Sequence, residues 1–448
     1  MRIAFRTVAL AAAALSIAVT APRAAAQEPG GGDLAALVER ARTVNPDIAA
    51  ARRAVDAARA RAEAAGALPD PRLAAGLTNA LVSDPLSSED MMTMRTVQLG
   101  IVLPYPGKRG LERDAARHEL AAAEADLAVV ELRVVAEVKR AWYEVWLLGR
   151  ALDVVRNHRA LLDDFVDVTE ARYGVGTGGQ PDVLKAQVER TGLGDEILDL
   201  ERRRAAAASE LNALLDRPID TPAPAGEYPE AVERAAIPPT GTEVRFTAAA
   251  LGADGDRAGP VPDLATLRSA AEASNPRLEA MEARIAVRRA AARLADLAAL
   301  PDFDVMVGYG QRSGREDMTT IMVAVPLPLF KGRKQDPLAD AAEADVAALE
   351  AERRALSNEI GAEVATLREA LIRTRERLAL VREGVLPQAR ASLEASVAGY
   401  PVGSVDFLTL VDAQATLFRH ELDYYELLAD FGRDLAALER AVGGEVLR

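Results

Sequence analysis

The chain has 448 residues, half of them apolar, 27% charged and 4% aromatic, with no cysteine. A chain this apolar buries a core along most of its length, and the missing thiols exclude disulfides, thiolate zinc sites, cysteine nucleophiles and a lipid-modified cysteine. A formal charge of −14 is the wrong sign for a nucleic-acid partner, whose phosphates demand Lys and Arg in excess.

Met1 to Ala26 reads as a secretory signal peptide. Arg2 and Arg6 head it, Val8 to Val19 is its apolar run, and Ala24-Ala25-Ala26 offers a small-residue cleavage site before Gln27. The alternative is a retained anchor, for which the run is short. Cleavage removes Arg2, Arg6 and Arg23 and no acid, leaving the mature chain at −17. No later stretch has the apolar length of a transmembrane helix. Whatever membrane the protein meets is not crossed by helices.

After a Gly-rich leader from Gln27 to Asp33, the pattern is helical from Leu34 to about Ala67. Asn45-Pro46 interrupts it as a cap with proline at the first helical position, and Ala67-Leu68-Pro69-Asp70 ends it. The period then changes to two. Leu73, Ala75, Leu77 and Leu81 alternate with small residues, and Val97, Leu99, Ile101 and Leu103 do the same after a polar segment, Ser83 to Asp90. This predicts a β-hairpin over about 72–103. Proline and basic residues close it, at Leu103-Pro104-Tyr105-Pro106-Gly107-Lys108-Arg109. Proline ends a ladder because it has no N–H to give, and the cations suit a membrane–water boundary.

A helical hairpin is expected next, over about 111–215. Its first arm, from about Leu111 to Arg172, holds no proline and at 1.5 Å per residue would be about 90 Å long. Apolar positions recur at three and four residues, as in Leu127, Val130, Val134, Val138 and Trp142, the pattern of a coiled coil. Trp142, Tyr143 and Trp146 read as packing anchors. The turn is Tyr173-Gly174-Val175-Gly176-Thr177, and the second arm runs from Asp182 through Ala186-Gln187 to Leu215.

Residues 217–262 are rich in proline and glycine and read as an irregular connector. The pattern then starts again. Asn275-Pro276 opens a helix and Ala299-Leu300-Pro301-Asp302 ends it; a hairpin is expected over about 303–328, and Leu327-Pro328-Leu329-Phe330-Lys331-Gly332-Arg333 closes it. A second helical hairpin follows over about 337–443. Tyr400-Pro401-Val402-Gly403-Ser404 and Ala413-Gln414 lie 227 positions beyond Tyr173 and Ala186-Gln187. The chain thus divides into a signal peptide (1–26), a first repeat (27–216), the connector (217–262) and a second repeat (263–448). A long period of this kind marks one duplicated unit: helix, β-hairpin, long helix, turn, helix.

The strand length, about nine to eleven residues, is that of a tilted membrane strand, and an apolar face opposite a small or polar one suits lipid outside and water inside. A pair of half-buried hairpins in a soluble domain is the alternative. Four membrane strands cannot close a barrel, and open edges are not tolerated in lipid. Several chains must share one. Three would supply twelve strands with room for a lumen, so a homotrimer is expected.

This layout resembles the outer membrane efflux protein family, the TolC-like exit ducts of Gram-negative tripartite pumps. The resemblance runs from Asn45 to Gly443 and rests on the two Tyr-x-Val-Gly turns, the two Ala-Gln pairs and the two Leu-Pro hairpin exits. It implies a mainly α protein with a shared twelve-stranded outer membrane barrel and a periplasmic α-helical barrel. The implied partners are outer membrane lipid, a periplasmic adaptor protein and an inner membrane pump, with no cofactor. By resemblance Val175, Gly176, Thr177, Val402, Gly403 and Ser404 would meet the adaptor, and Asp182 and Asp412 would ring the aperture. Thr409 stands where some members carry another aspartate. Asp182 follows Pro181 where a helix restarts, so helix capping is an equal reading for it.

Other classes fare less well. His118, His158 and His420 are scattered on the long helices, and no G-x-S-x-G elbow, P-loop or H-E-x-x-H motif is present. A periplasmic structural coiled coil accounts for the helices and leaves the hairpins without a role. The cargo stays open among drugs, metal cations and, as in type I secretion, polypeptides. Met91, Met92 and Met94 fall near the outer end of the first hairpin, where thioethers suit Cu(I) but methionine is also a gap-filler.

Overall fold

The computed structural model describes residues 33–80, 92–224, 226–237 and 261–446. The signal peptide, the rest of the Gly-rich leader, Leu81, the polar segment 83–90, Met91 and most of the connector's second half lie outside them. Each half of the chain opens with a helix pair broken by asparagine and proline: α1 (Leu34–Val44) and α2 (Pro46–Ala64), then α6 (Leu264–Ser274) and α7 (Pro276–Leu297). Asn45 caps α2 by accepting from the Asp47 N–H at 2.9 Å and donates to the Leu214 carbonyl at 2.9 Å. Asn275 repeats this at α7, accepting from the Arg277 N–H at 2.8 Å and donating to the Ala441 carbonyl at 2.7 Å. Both asparagines are buried. Each therefore fastens the start of its repeat to the end of the same repeat, and the two acceptors are again 227 residues apart.

Strands β1 (Arg72–Thr78), β2 (Met94–Leu103), β3 (Phe303–Arg312) and β4 (Met318–Ala324) form one antiparallel sheet in the order β1-β2-β3-β4. The repeats meet at β2 and β3, which pair over ten residues from Met94↔Arg312 to Leu103↔Phe303. The outer strands have seven residues each, fewer than the nine to eleven expected. Pro71 and Pro326 stand beside their ends and cannot donate to a ladder, while Asn79, at φ 56°, turns the chain away after β1. Leu73, Val97, Leu99, Val307, Ile321 and Val323 share one face and are exposed.

The helices that leave the sheet start earlier than expected. α3 runs from Lys108 to Gly174, 67 residues and about 100 Å. α8 (Lys331–Leu380) includes Pro337 in its second turn. A single π turn, Val381–Val385, joins it to α9 (Leu386–Gly399), whose second residue is Pro387. Proline lacks an N–H and clashes with the carbonyl four residues back, so the widened turn lets the helix pass it. The return helices α4 (Gln180–Leu214) and α10 (Phe407–Val442) are about half as long as the outgoing path. Beside the sheet the helices lie in the order α2-α3-α7-α8; at the other end the order is α4-α3-α10, with α8 and α9 outermost. The result is a layer two repeats wide, its sheet at one pole and its helical turns at the other.

Polar side chains tie the first hairpin exit and the connector to distant parts of the chain. Lys108 donates to the Leu300 carbonyl at 2.8 Å and Asp302 at 2.9 Å, and Arg109 donates to the Gly66 carbonyl at 2.7 Å. These cations stitch the first hairpin exit to neighbouring loops. The described part of the connector holds short structure. It contains α5 (Glu230–Ala236), and Tyr228 packs on Trp146 and Tyr143 while donating to the Leu428 carbonyl at 2.7 Å. Trp142, Tyr143 and Trp146 are buried anchors, as the sequence implies. Among the described residues no helix is long and apolar enough to cross a membrane.

Candidate functional site

The two helical turns lie side by side at the pole farthest from the sheet, and three of their closing bonds correspond. Gly176 and Gly403 have φ of 74° and 76°, a left-handed conformation that glycine adopts without a Cβ penalty. Their N–H groups donate to the Tyr173 and Tyr400 carbonyls at 3.0 and 3.1 Å. The Thr177 and Ser404 hydroxyls donate to the Arg172 and Gly399 carbonyls at 3.2 and 3.1 Å. Val175 and Val402 project from the tips, 75% and 79% exposed.

The tyrosines break the symmetry. Tyr173 is half exposed and Tyr400 is buried. The Arg172 guanidinium lies over the Tyr400 ring, 4.5 Å from its centroid, and donates to the carbonyls of Tyr400 and, at 3.2 Å, Thr177. The Tyr400 hydroxyl donates to Asp182 at 3.4 Å, and the Phe407 ring flanks it at 5.5 Å. One residue of the second repeat is thus held by two of the first. Burial raises the Tyr400 pKa, the Asp182 carboxylate adds to this and Arg172 opposes it, so the hydroxyl stays a donor. Arg172 escaped the sequence reading although it adjoins the motif; its counterpart 227 positions on is Gly399.

Asp182 does not cap α4. The cap position is Gly179, without a side-chain bond, and Pro181 and Asp182 sit in the first turn, Asp182 three positions past the cap. Asp406, in contrast, caps α10 by accepting from the Thr409 N–H at 2.8 Å; the spacing Asp-x-x-Thr was the available signal. Asp412 is exposed in the second turn of α10, and among the described residues no bond joins it to Asp182. Ala186 and Ala413 are buried in the cluster around Leu162, Phe165, Leu386 and Leu410, where a small residue lets the helices approach. Gln187 donates to Glu170 at 3.1 Å on the surface, whereas Gln414 is buried against His158 Nδ1 at 3.1 Å. His158 Nε2 lies 2.9 Å from Glu421. The His158 bond lowers the Glu421 pKa against the opposing effect of burial, with Arg390 assisting.

A pH dependence follows at the Asp406 cap. The Thr409 hydroxyl and N–H hold the Asp406 pKa below the ordinary carboxylate value. Its stabilising contribution is therefore complete above the unfolded-state pKa and is lost as pH falls through the lower folded-state value. The protection factor of the Thr409 amide, its exchange rate relative to the intrinsic rate at the same pH, should fall across that acid window in the wild type. Asp406→Asn, which still accepts a bond, should show no such step.

Among the described residues no cluster of His, Asp and Glu is arranged to hold a metal ion. The family model for outer membrane efflux proteins matches residues 37–217 and 267–444. The chain belongs to the outer membrane efflux protein family. It is 24% identical over 407 residues to the cobalt-zinc-cadmium resistance protein CzcC of Cupriavidus metallidurans, covering 89% of this chain and 87% of that one. In fold it is similar to the outer membrane protein VceC of Vibrio cholerae, with a TM-score of 0.73 and 20% identity over 92% of this chain and 96% of that one. The match to CusC has a TM-score of 0.74 and 17% identity over 92% of each chain. The protein is an outer membrane efflux channel that extends from the outer membrane into the periplasm. Its sheet is the membrane pole and its turns are the periplasmic pole.

Proposed function

We propose that three copies close into one passive exit duct, which receives metal cations from an inner membrane pump through a periplasmic adaptor. The observation that carries this is the pair of open edges. Among the described residues β1 and β4 each lack a neighbour on one side, and α4 and α8 bound the helical layer. These edges expose apolar side chains: Leu184, Val188 and Leu198 on α4, Leu338 and Leu380 on α8 and Val397 on α9. Joining the first edge of one copy to the second edge of the next is a heterologous contact that closes as a ring, and three copies supply twelve strands around a lumen. Unpaired strand edges in lipid make such closure compulsory. The turn tips, Val175-Gly176-Thr177 and Val402-Gly403-Ser404, are where the adaptor docks. Asp182 and Asp412 line the aperture between them, where negative charge concentrates cations.

The cargo rests on CzcC, whose name ties that relative to cobalt, zinc and cadmium. Two measurements on one strain test the reading. Deleting the gene should lower tolerance to at least one of these metals and plasmid-borne protein should restore it, while the detergent-solubilised protein should have the native mass of a trimer. A monomeric mass, or unchanged tolerance to all three metals, would overturn it.

A further inference from the structure

The sheet carries a second pattern that neither fold nor family accounts for. Of the chain's eight methionines, four lie on one face of it: Met94, Met306, Met318 and Met322. Their strand positions share parity with Thr78, Thr96, Gln98, Gly308, Gly310 and Thr320 across the pairing register. This is the face opposite the exposed Leu73, Val97, Val307, Ile321 and Val323, and hence the inside of a closed barrel.

The four fall at two levels. Met306 and Met322 are direct cross-strand partners, a placement that sets their Cβ atoms about 5 Å apart. Gly310 pairs with Met318 on one side and Thr96 on the other. The Met94 sulfur lies over Gly310, 3.2 Å from where a Cβ would stand, so Met94 reaches toward Met318 across a position without a side chain. Four residues of strand, about 13 Å, separate the levels. Packing among the described residues does not explain the choice, because Met318 and Met322 are each 46% exposed.

Charge does not make this face a cation trap. Asp304 lies one step beyond the Met306 level on β3, but Arg72 shares the face on the edge strand, and Arg312 lies at its other end with its guanidinium bonded to the Glu316 carbonyl. The distinguishing donors are neutral thioethers, which select soft cations such as Cu(I) and Ag(I) over zinc and cobalt. Weak sites in series are also what conduction needs, since an ion must bind well enough to enter and loosely enough to leave.

We propose that these methionines form a two-station thioether path through the barrel, which passes soft monovalent cations of the Cu(I) and Ag(I) class. The proposal rests on the metal-duct reading above and adds soft monovalent cations to the cargo that the CzcC likeness suggests. The test uses a deletion strain carrying either the wild-type chain or a variant with Met94→Leu, Met306→Leu, Met318→Leu and Met322→Leu, scored for growth in silver, zinc and cobalt. Leucine keeps the bulk and removes the sulfur. Silver tolerance is expected to fall to the empty-vector level while zinc or cobalt tolerance is kept. Wild-type silver tolerance in the variant, with zinc or cobalt tolerance intact, overturns the path and leaves the duct standing. Equilibrium dialysis of Ag(I) against the solubilised protein decides the case in which all tolerances fall together, or in which none responds even to the wild type and the metal-duct reading itself fails. The path predicts silver bound by wild type and lost in the variant. Equal binding by the two, or none by either, overturns it.

Discussion

Gly432→Ala is expected to produce the largest loss of folded protein of any single methyl added to this chain. A Cβ on Gly432 would lie 2.3 to 2.6 Å from three carbons of the Tyr143 ring, well inside van der Waals contact. The ring cannot withdraw. It is 2% exposed, with Trp142 edge-on at 5.2 Å and Tyr228 at 5.6 Å. Burial, assisted by Glu439, raises the Tyr143 pKa, so the phenol is neutral and gains no route to water by ionising. Overpacking a tight core costs about 1–3 kcal/mol even where side chains can shift, and here α3 and α10 themselves must part. The same overlap explains a glycine inside α10, where it costs about 1 kcal/mol of helix propensity relative to alanine. Thermal melting by circular dichroism and the folded yield in the outer membrane should both drop sharply. Gly332→Ala, where a Cβ meets nothing within 4 Å, is the matched control. An unchanged melting temperature in Gly432→Ala would show that the ring does not sit on that backbone.

What was legible in the sequence is what local chemistry writes. Asn45-Pro46 and Asn275-Pro276 announce helix starts because cap and missing N–H act within three residues. The strands show in their alternation, and the duplication shows in turns whose glycines must be left-handed. What was hidden depends on neighbours distant in the chain. Tyr173 and Tyr400 have matching motifs, and only the packing of the repeats buries one beneath Arg172 and leaves the other in water. Tyr228 is a lone aromatic in a Pro-rich stretch, and nothing local says that it docks between α3 and α10. The methionine levels needed the register: Met306 and Met322 are sixteen residues apart in sequence and opposite each other in the sheet. The reading of Asp182 as a cap failed because the helix begins at Gln180, three residues before the start that an Asp182 cap would give.

Arg172→Ala should open the periplasmic end. Arg172 reaches from the first turn to the second in two ways, through the Tyr400 ring and the Tyr400 carbonyl, and braces its own turn through the Thr177 carbonyl. A cation–π contact is worth about 0.5–1 kcal/mol at an exposed site and about 2 kcal/mol when desolvated, and the two bonds from a charged donor add to it. Cutting all three should increase single-channel conductance in a planar bilayer and make cells more sensitive to bulky antibiotics. Global melting should move little, because the lost contacts lie at a pole remote from the Trp142–Phe431 core. Arg172→Lys should recover only part of the closure, since an ammonium lacks the planar fork that stacks and donates at once. Tyr400→Phe removes just the 3.4 Å bond to Asp182 and keeps the ring under Arg172, so its leak should be small. Asp182→Asn separates gating from charge: it retains an acceptor for Tyr400, and should therefore lower cation selectivity with little added leak. Equal leaks from Arg172→Ala and Tyr400→Phe would mean that the hydroxyl–carboxylate bond holds the turns together, and the guanidinium would lose its part in closure.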